Sequence, residues 1–119
     1  VAALPAPGVL DAVALAEGGR IVVCAEDLDR HNALDRVIGR GLRSNLDFSR
    51  TFAVSTGTVT SEMVRKCLIA GIPVLVSTGT PTALAVEIAE ETGLCIAGSA
   101  GTPEMAVYTH PERITGMGA

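Results

Sequence analysis

The sequence predicts an α/β protein: a three-layer α/β/α arrangement, with an N-terminal hairpin followed by mostly parallel strands. Three observations carry this. Short runs of Val, Ile and Leu alternate with segments whose apolar residues recur at helical spacing, a pattern that implies strands joined by covering helices. The strand runs, such as "PVLVS", are apolar at consecutive positions, as expected of strands buried on both faces. The peptide "VSTGT" occurs twice, at Val54 and Val76, each time where a strand run gives way to a helical pattern.

The elements follow in order. "DAVALAEGGRIVVCAED" reads as a hairpin about Glu17-Gly18-Gly19, because glycine supplies the positive φ of such turns. A short helix from Gly8 to Glu17 is the alternative. From His31 to about Arg43, the residues Ala33, Leu34, Val37, Ile38 and Leu42 have helical spacing, and Asp27 or Asp29 can cap the start. "TFAVST" is a strand. "TSEMVRKCLIAG" is a helix with Thr60 as N-cap and Gly71 at its end. "IPVLVST" is a buried strand. "TPTALAVEIAEETG" is a helix with Thr80 as N-cap, Pro81 at the first helical position and Gly93 as C-cap. "LCIAGS" and a short, edge-lying "EMAVYT" complete the order ββαβαβαβ.

The bulk properties exclude several classes. The 119 residues form one domain with room for a core, which must be aliphatic: the chain is 48% hydrophobic but 3% aromatic, with no tryptophan. A net charge of -4 and the lack of a basic tract argue against nucleic acid as a partner. Cys24, Cys67 and Cys95 are an odd number without C-x-x-C spacing, which argues against a disulfide framework or a zinc site and for buried thiols in a reducing cytoplasm. The stretch from Cys67 to Val86 lacks charge, yet Gly71, Pro73 and "STGTPT" break it, so it reads as helix end, strand, turn and new helix rather than a membrane span. The start "VAALPAPG" has neither the basic region nor the apolar core of a signal peptide. It also lacks an initiator Met, as in a processed chain or a fragment. The high apolar content for this length hints at a face shared with a second copy.

The candidate site is the sheet edge where parallel strands end. Right-handed crossovers gather the loops after successive strands there, collecting "EDLDRHN", "STGTVTSE", "STGTPT" and "GSAGTPE". The two echoing turns should point backbone N–H groups outward at helix starts, an arrangement that favours anions. Glu26 or Asp27 could orient His31 as an acid, base or hydrogen donor, and a packed, capping His31 is an equal alternative. Glu62 and Lys66, at i and i+4, form an expected ion pair. No nucleophile–base set, zinc motif or phosphate loop is legible.

"EDLDRHNALDRVIG" resembles the "EDVGRHNAVDKVIG" signature of the FdhD/NarQ family, accessory sulfurtransferases that mature formate dehydrogenases. The likeness extends through "STGTVTSEMVRK", "AGIPV" and "PTALA" to "MAVYTHPERI", covering the chain from about Gly8. It implies the family's C-terminal domain, with a cytidine-deaminase-like fold. It further implies a molybdenum or tungsten bis(guanine dinucleotide) cofactor, with sulfur arriving from a cysteine desulfurase and formate dehydrogenase as client. By this resemblance Glu26, Asp27, Arg30, His31, Asn32, Asp35, Gly57, Glu62, Lys66, Pro81 and Thr82 fall at signature positions for a molybdopterin guanine dinucleotide-type cofactor or guanine nucleotide. Departures accompany it. The family's sulfur-carrying C-x-x-C is absent, Asp11 stands where His is expected, and Asp29 replaces a Gly. Thr58, Thr78 and Ala100 replace arginines. A zinc deaminase would need a Glu after its first ligand and a later C-x-x-C, and neither is present. Two readings remain: an accessory protein that binds the cofactor, and a degenerate interaction domain that does not.

Overall fold

The computed structural model describes residues 10 to 115. The hairpin is observed: β1 (Asp11–Glu17) and β2 (Arg20–Asp27) pair antiparallel around Gly18, whose φ is 63°. Helix α1 (Arg30–Arg43) follows, then a 3-10 turn (Phe48–Arg50) and β3 (Thr51–Ser55). Next come α2 (Ser61–Ala70), β4 (Val74–Ser77), α3 (Ala83–Thr92), β5 (Cys95–Gly98), β6 (Ala106–Thr109) and a short α4 (Glu112–Thr115). Residues before Leu10, where the alternative helix would have begun, lie outside the described residues.

The six strands form one sheet in the order β2-β1-β3-β4-β5-β6. The ladders β3–β4 and β4–β5 are parallel, while β1–β2, β1–β3 and β5–β6 are antiparallel. Because β1 runs against both its neighbours, β2, β3, β4 and β5 all point the same way. The sheet is therefore mixed, but its parallel-running strands end on one edge.

Each crossover, β2 to β3, β3 to β4 and β4 to β5, moves across the sheet in the same direction. Right-handed connections then place all three long helices on one face. The core agrees: Ala33, Leu34 and Val37 of α1, Met63, Val64 and Cys67 of α2, and Ala85 and Ala89 of α3 cluster with Val13, Leu15, Ala53, Leu75 and Ile96. The class is α/β as expected, with α1, α2 and α3 together rather than divided between faces. The other face is built of small side chains, with Ala12, Ala14, Ala16, Val54, Cys95 and Ala97 buried.

Local chemistry explains most element ends. Asp29 caps α1 by accepting from the His31 amide, and Thr60 caps α2 by accepting from Met63. Gly71 and Gly93 end α2 and α3 in the left-handed conformation, each with φ of 88°. Helix α3 departs from expectation: Thr82, not Thr80, is its N-cap, and Pro81 precedes the helix. Pro81 instead forms a parallel bridge with Val59, prolonging the β3–β4 association past the turns. On α1 it is Gly41, not Leu42, that faces inward; a Cβ there would stand 2.8 Å from the Phe48 ring.

Candidate functional site

The shared edge brings together the amino end of β1 and the carboxyl ends of β2, β3, β4 and β5. The two echoing turns lie side by side there and bond to each other. Ser77 Oγ donates to the Gly57 carbonyl, and the Gly57 amide donates to Thr78 Oγ1 at 3.2 Å. The Thr78 amide donates to the Ser55 carbonyl at 3.1 Å, and the Gly79 amide to Ser77 Oγ at 3.2 Å. Val59 and Thr82 continue the seam, the former donating to the Thr80 carbonyl and the latter to that of Val59. Beyond it, the Ser99 amide donates to the Gly79 carbonyl and the Ala100 amide to that of Ser77. The expected outward display of N–H groups therefore fails at Gly57, Thr78 and Gly79: the adjoining turn takes up the first two donors, and Ser77 of the same turn takes up the third.

Arg30 sits over the first turn. A Cβ on Gly57, whose φ is 80°, would lie 2.6 Å from an Arg30 terminal nitrogen, so the bare glycine makes room for the guanidinium. The Asp11 carboxylate faces Arg30 at 3.6 Å, with both side chains 26% exposed. Asp11 also accepts from Thr56 Oγ1 at 3.0 Å, and that hydroxyl accepts from the Ala12 amide. Arg30 Nε is buried and has no hydrogen-bond partner among the described residues.

His31 is oriented by Asp29, not by Glu26 or Asp27. Its Nδ1 lies 3.0 Å from Asp29 Oδ1 and its Nε2 lies 2.8 Å from Thr60 Oγ1. A carboxylate only accepts, so Nδ1 carries a proton; Nε2 shares a hydrogen bond with the Thr60 hydroxyl, whose oxygen also accepts from the Met63 amide. Both ring nitrogens are satisfied, and His31 stitches the start of α1 to the start of α2. Bonds from the His31 amide and ring hold Asp29 below the usual aspartate range.

The other expected site residues divide. Asp27 accepts from the Asp29 amide and from Arg36 at the end of β2. Pro81 and Thr82 belong to the seam. Lys66 pairs with Asp35, Nζ lying 2.7 Å from Oδ1, and not with Glu62; the carboxylate on α1 lies within reach and wins over the neighbour one turn away. That pair ties α1 to α2 a full turn from His31. Glu26, Asn32 and Glu62 are exposed, and Glu26 points to the sheet face opposite buried Ala25. Residue by residue, the cluster at the edge is Asp11, Arg30, His31, Thr56, Gly57, Thr60, Ser77, Thr78 and Gly79. The last three were visible in sequence only as the repeated turn.

Cys67 and Cys95 are buried, and burial pushes the Cys67 thiol up to about 12. Cys24 corrects the expectation of three buried thiols: it is exposed, because it opposes Ala14 and so lies on the sheet face away from the helices. Among the described residues no helix is long and apolar enough to cross a membrane.

The model of the FdhD/NarQ family matches residues 5–115. The chain belongs to the FdhD/NarQ family. The sulfur carrier protein FdhD of Thermoplasma volcanium is 39% identical over 107 residues, which cover 90% of this chain and 38% of that protein. Its namesake from Xanthomonas euvesicatoria pv. vesicatoria is 42% identical over 108 residues, with the same coverages. A crystal structure from Desulfotalea psychrophila, described as a formate dehydrogenase accessory protein, superposes with a TM-score of 0.81 at 32% identity. It covers 88% of this chain and 47% of that one. This FdhD/NarQ chain thus spans less than half the length of these relatives.

Proposed function

We propose that this FdhD/NarQ chain acts as an accessory protein in the maturation of a formate dehydrogenase. In this reading its strand-end edge holds the guanine-nucleotide part of a molybdopterin guanine dinucleotide-type cofactor. The family match over nearly the whole chain supports the accessory role, with formate dehydrogenase as client; a cysteine desulfurase as the sulfur source is part of the same proposal. When bound, the cofactor would supply the metal–sulfur chemistry of the client; the chain's own task is to grip and orient it.

The fit rests on one phosphate. Arg30 is partly exposed, loosely paired with Asp11 at 3.6 Å, and carries an unpartnered Nε. Gly57 gives it a floor of bare backbone. An incoming phosphate exchanges for Asp11 as the partner of Arg30, gaining the planar, bidentate geometry a guanidinium offers. The exposed hydroxyls of Thr58 and Thr80 flank the same turns. Sulfur transfer is not assigned to this chain, because Cys24, Cys67 and Cys95 make no C-x-x-C pair.

Calorimetric titration with GDP tests the reading. Saturable binding is expected, weakened at least about tenfold by Arg30→Ala, which is roughly 1.4 kcal/mol. A folded protein that takes no heat from millimolar GDP overturns it. The second reading, an interaction domain without cofactor, is favoured by the spent turn amides and by Asp11 already neutralising Arg30. Thr58, Thr78 and Ala100, where the family signature has arginine, favour it too.

A further inference from the structure

Backbone carbonyls at element ends are answered here by cations from elsewhere in the chain. Arg36 and Arg40 of α1 reach over β2 and donate to the carbonyls of Glu26 and Cys24, at 2.9 and 2.6 Å. Helix α3 has the greater need. It carries Glu87, Glu90 and Glu91 and no basic residue in its last turn, where a helix favours positive charge. The chain after β6 supplies what is missing. His110 Nε2 lies 2.9 Å from the Glu90 carbonyl oxygen, and Arg113 Nε donates to the carbonyl of Gly93.

Unlike the arginines, His110 titrates. Its Nδ1 faces Glu112 Oε2 at 3.1 Å. A carbonyl oxygen and a carboxylate only accept, so each ring nitrogen must bring a proton. The ring that completes both bonds is therefore the imidazolium. The surrounding groups agree. The bond to the Glu90 carbonyl, then that to Glu112, hold the His110 pKa above the ordinary 6.5, and the charges of both glutamates act the same way. Glu112 is held below the usual glutamate range by its own amide and by His110, so it stays a carboxylate. Cys95 of β5, which senses Glu112 and Arg113, is pushed up by burial and stays neutral.

The same residue is a hinge. Its φ is 46°, a left-handed value that a ring-bearing side chain keeps only where its surroundings over-determine it. On one side Thr109 is fixed: its Oγ1 accepts from the Ile96 amide and donates to the Leu94 carbonyl, both buried. On the other side the backbone bonds of Arg113 and Ile114 return to His110 and Pro111, within the segment itself. Arg113 closes one side of a cleft of about 400 Å³ over Leu68, Ile72, Pro73, Val74 and Leu94, at the end of the sheet away from the S-T-G-T turns.

We propose that His110 is a proton-operated clasp: as the imidazolium it pins α4 across the end of α3, and loss of its proton frees α4 to swing from Thr109 and uncover the cleft that Arg113 lines. A neutral ring keeps one bond but turns a lone pair toward the other acceptor, and the left-handed backbone loses part of its support. The clasp is complete below pH 6.5 and is lost as pH rises through the higher folded value.

Long-range proton–nitrogen NMR of the 119-residue chain across neutral pH tests this. The chain has two histidines, so His110→Gln assigns the signal. Two protonated ring nitrogens are expected below pH 6.5, with a midpoint above it that Glu112→Gln lowers. Amide exchange is the second readout, expressed as protection so that its intrinsic pH dependence cancels. Protection at Arg113 and Ile114 should fall at least about threefold through the same midpoint, and His110→Gln should abolish that dependence. A midpoint at or below 6.5 overturns the proposal, as does one that Glu112→Gln leaves in place. So does protection that stays flat while His110 titrates, or that keeps its pH dependence in His110→Gln.

Discussion

The two S-T-G-T turns share a sequence but not a task. In the first, Ser55 bonds within its own turn, to the Thr56 carbonyl, and Thr56 and Gly57 look outward to Asp11, Ala12 and Arg30. In the second, Ser77, Thr78 and Gly79 look inward, to Gly57 and the loop after β5. The difference follows from position. The first turn ends β3, whose neighbour β1 brings an acidic residue and a hairpin strand to it. The second ends β4, which has a parallel neighbour, and therefore another strand-end turn, on either side. One turn is a seat for a side chain; the other is a wedge between backbones. Identical letters acquire distinct roles from the strands that flank them.

Substitution of the two glycines should break this comparison most sharply. A Cβ on Gly79 would lie 2.5 Å from the backbone carbonyl of Gly57, and backbone held by ladders on both sides has little room to give. Gly79→Ala is expected to cost about 2–4 kcal/mol in urea denaturation, in the range of overpacked or strained core sites. Gly57→Ala should cost less, about 1–2 kcal/mol: it incurs the left-handed strain, but the atom it meets is the far end of a flexible arginine. If Gly57→Ala proves the more damaging, the assignment of seat and wedge is reversed.

Next in size are the hydroxyls. Ser77→Ala removes a donor to one turn and an acceptor in the other, and should cost about 1–2 kcal/mol. Ser55→Ala removes a bond within a single turn and should cost about half of that. Equal losses in thermal denaturation would mean that the inter-turn seam contributes nothing special. The smallest effect concerns pH. Asp29, depressed by its bonds to His31, caps α1 fully above the ordinary aspartate value of 3.8 and loses the cap as pH falls through the lower folded value. The His31 amide resonance should therefore titrate below pH 3.8; a midpoint above it would remove the cap from the account.

Much of this architecture is readable from residue types alone. Gly18, Thr60, Gly71 and Gly93 announce the hairpin and helix ends, because caps and turns depend on local chemistry. What escapes such reading is settled between distant segments. Pro81 looks like a first helical residue until β3 claims it through Val59. Lys66 looks committed to Glu62 until α1 presents Asp35. The turn amides look free until the turns are laid side by side. The helices' common face is implied by three crossovers in one direction, but only once the strand order is known. The arginines over β2 give no local signal, since their partners are carbonyls.

The contact between Gly57 and Gly79 also constrains how this sequence can drift. The two residues are 22 positions apart in the chain, yet the backbone of Gly57 fills the space that a methyl group at Gly79 would need. Gly79 is not independently variable: a change there becomes tolerable only after β4 shifts away from β3, and that shift undoes the seam from Ser55 to Thr82. The freedom of residue 79 is set by the backbone of a turn in another part of the chain.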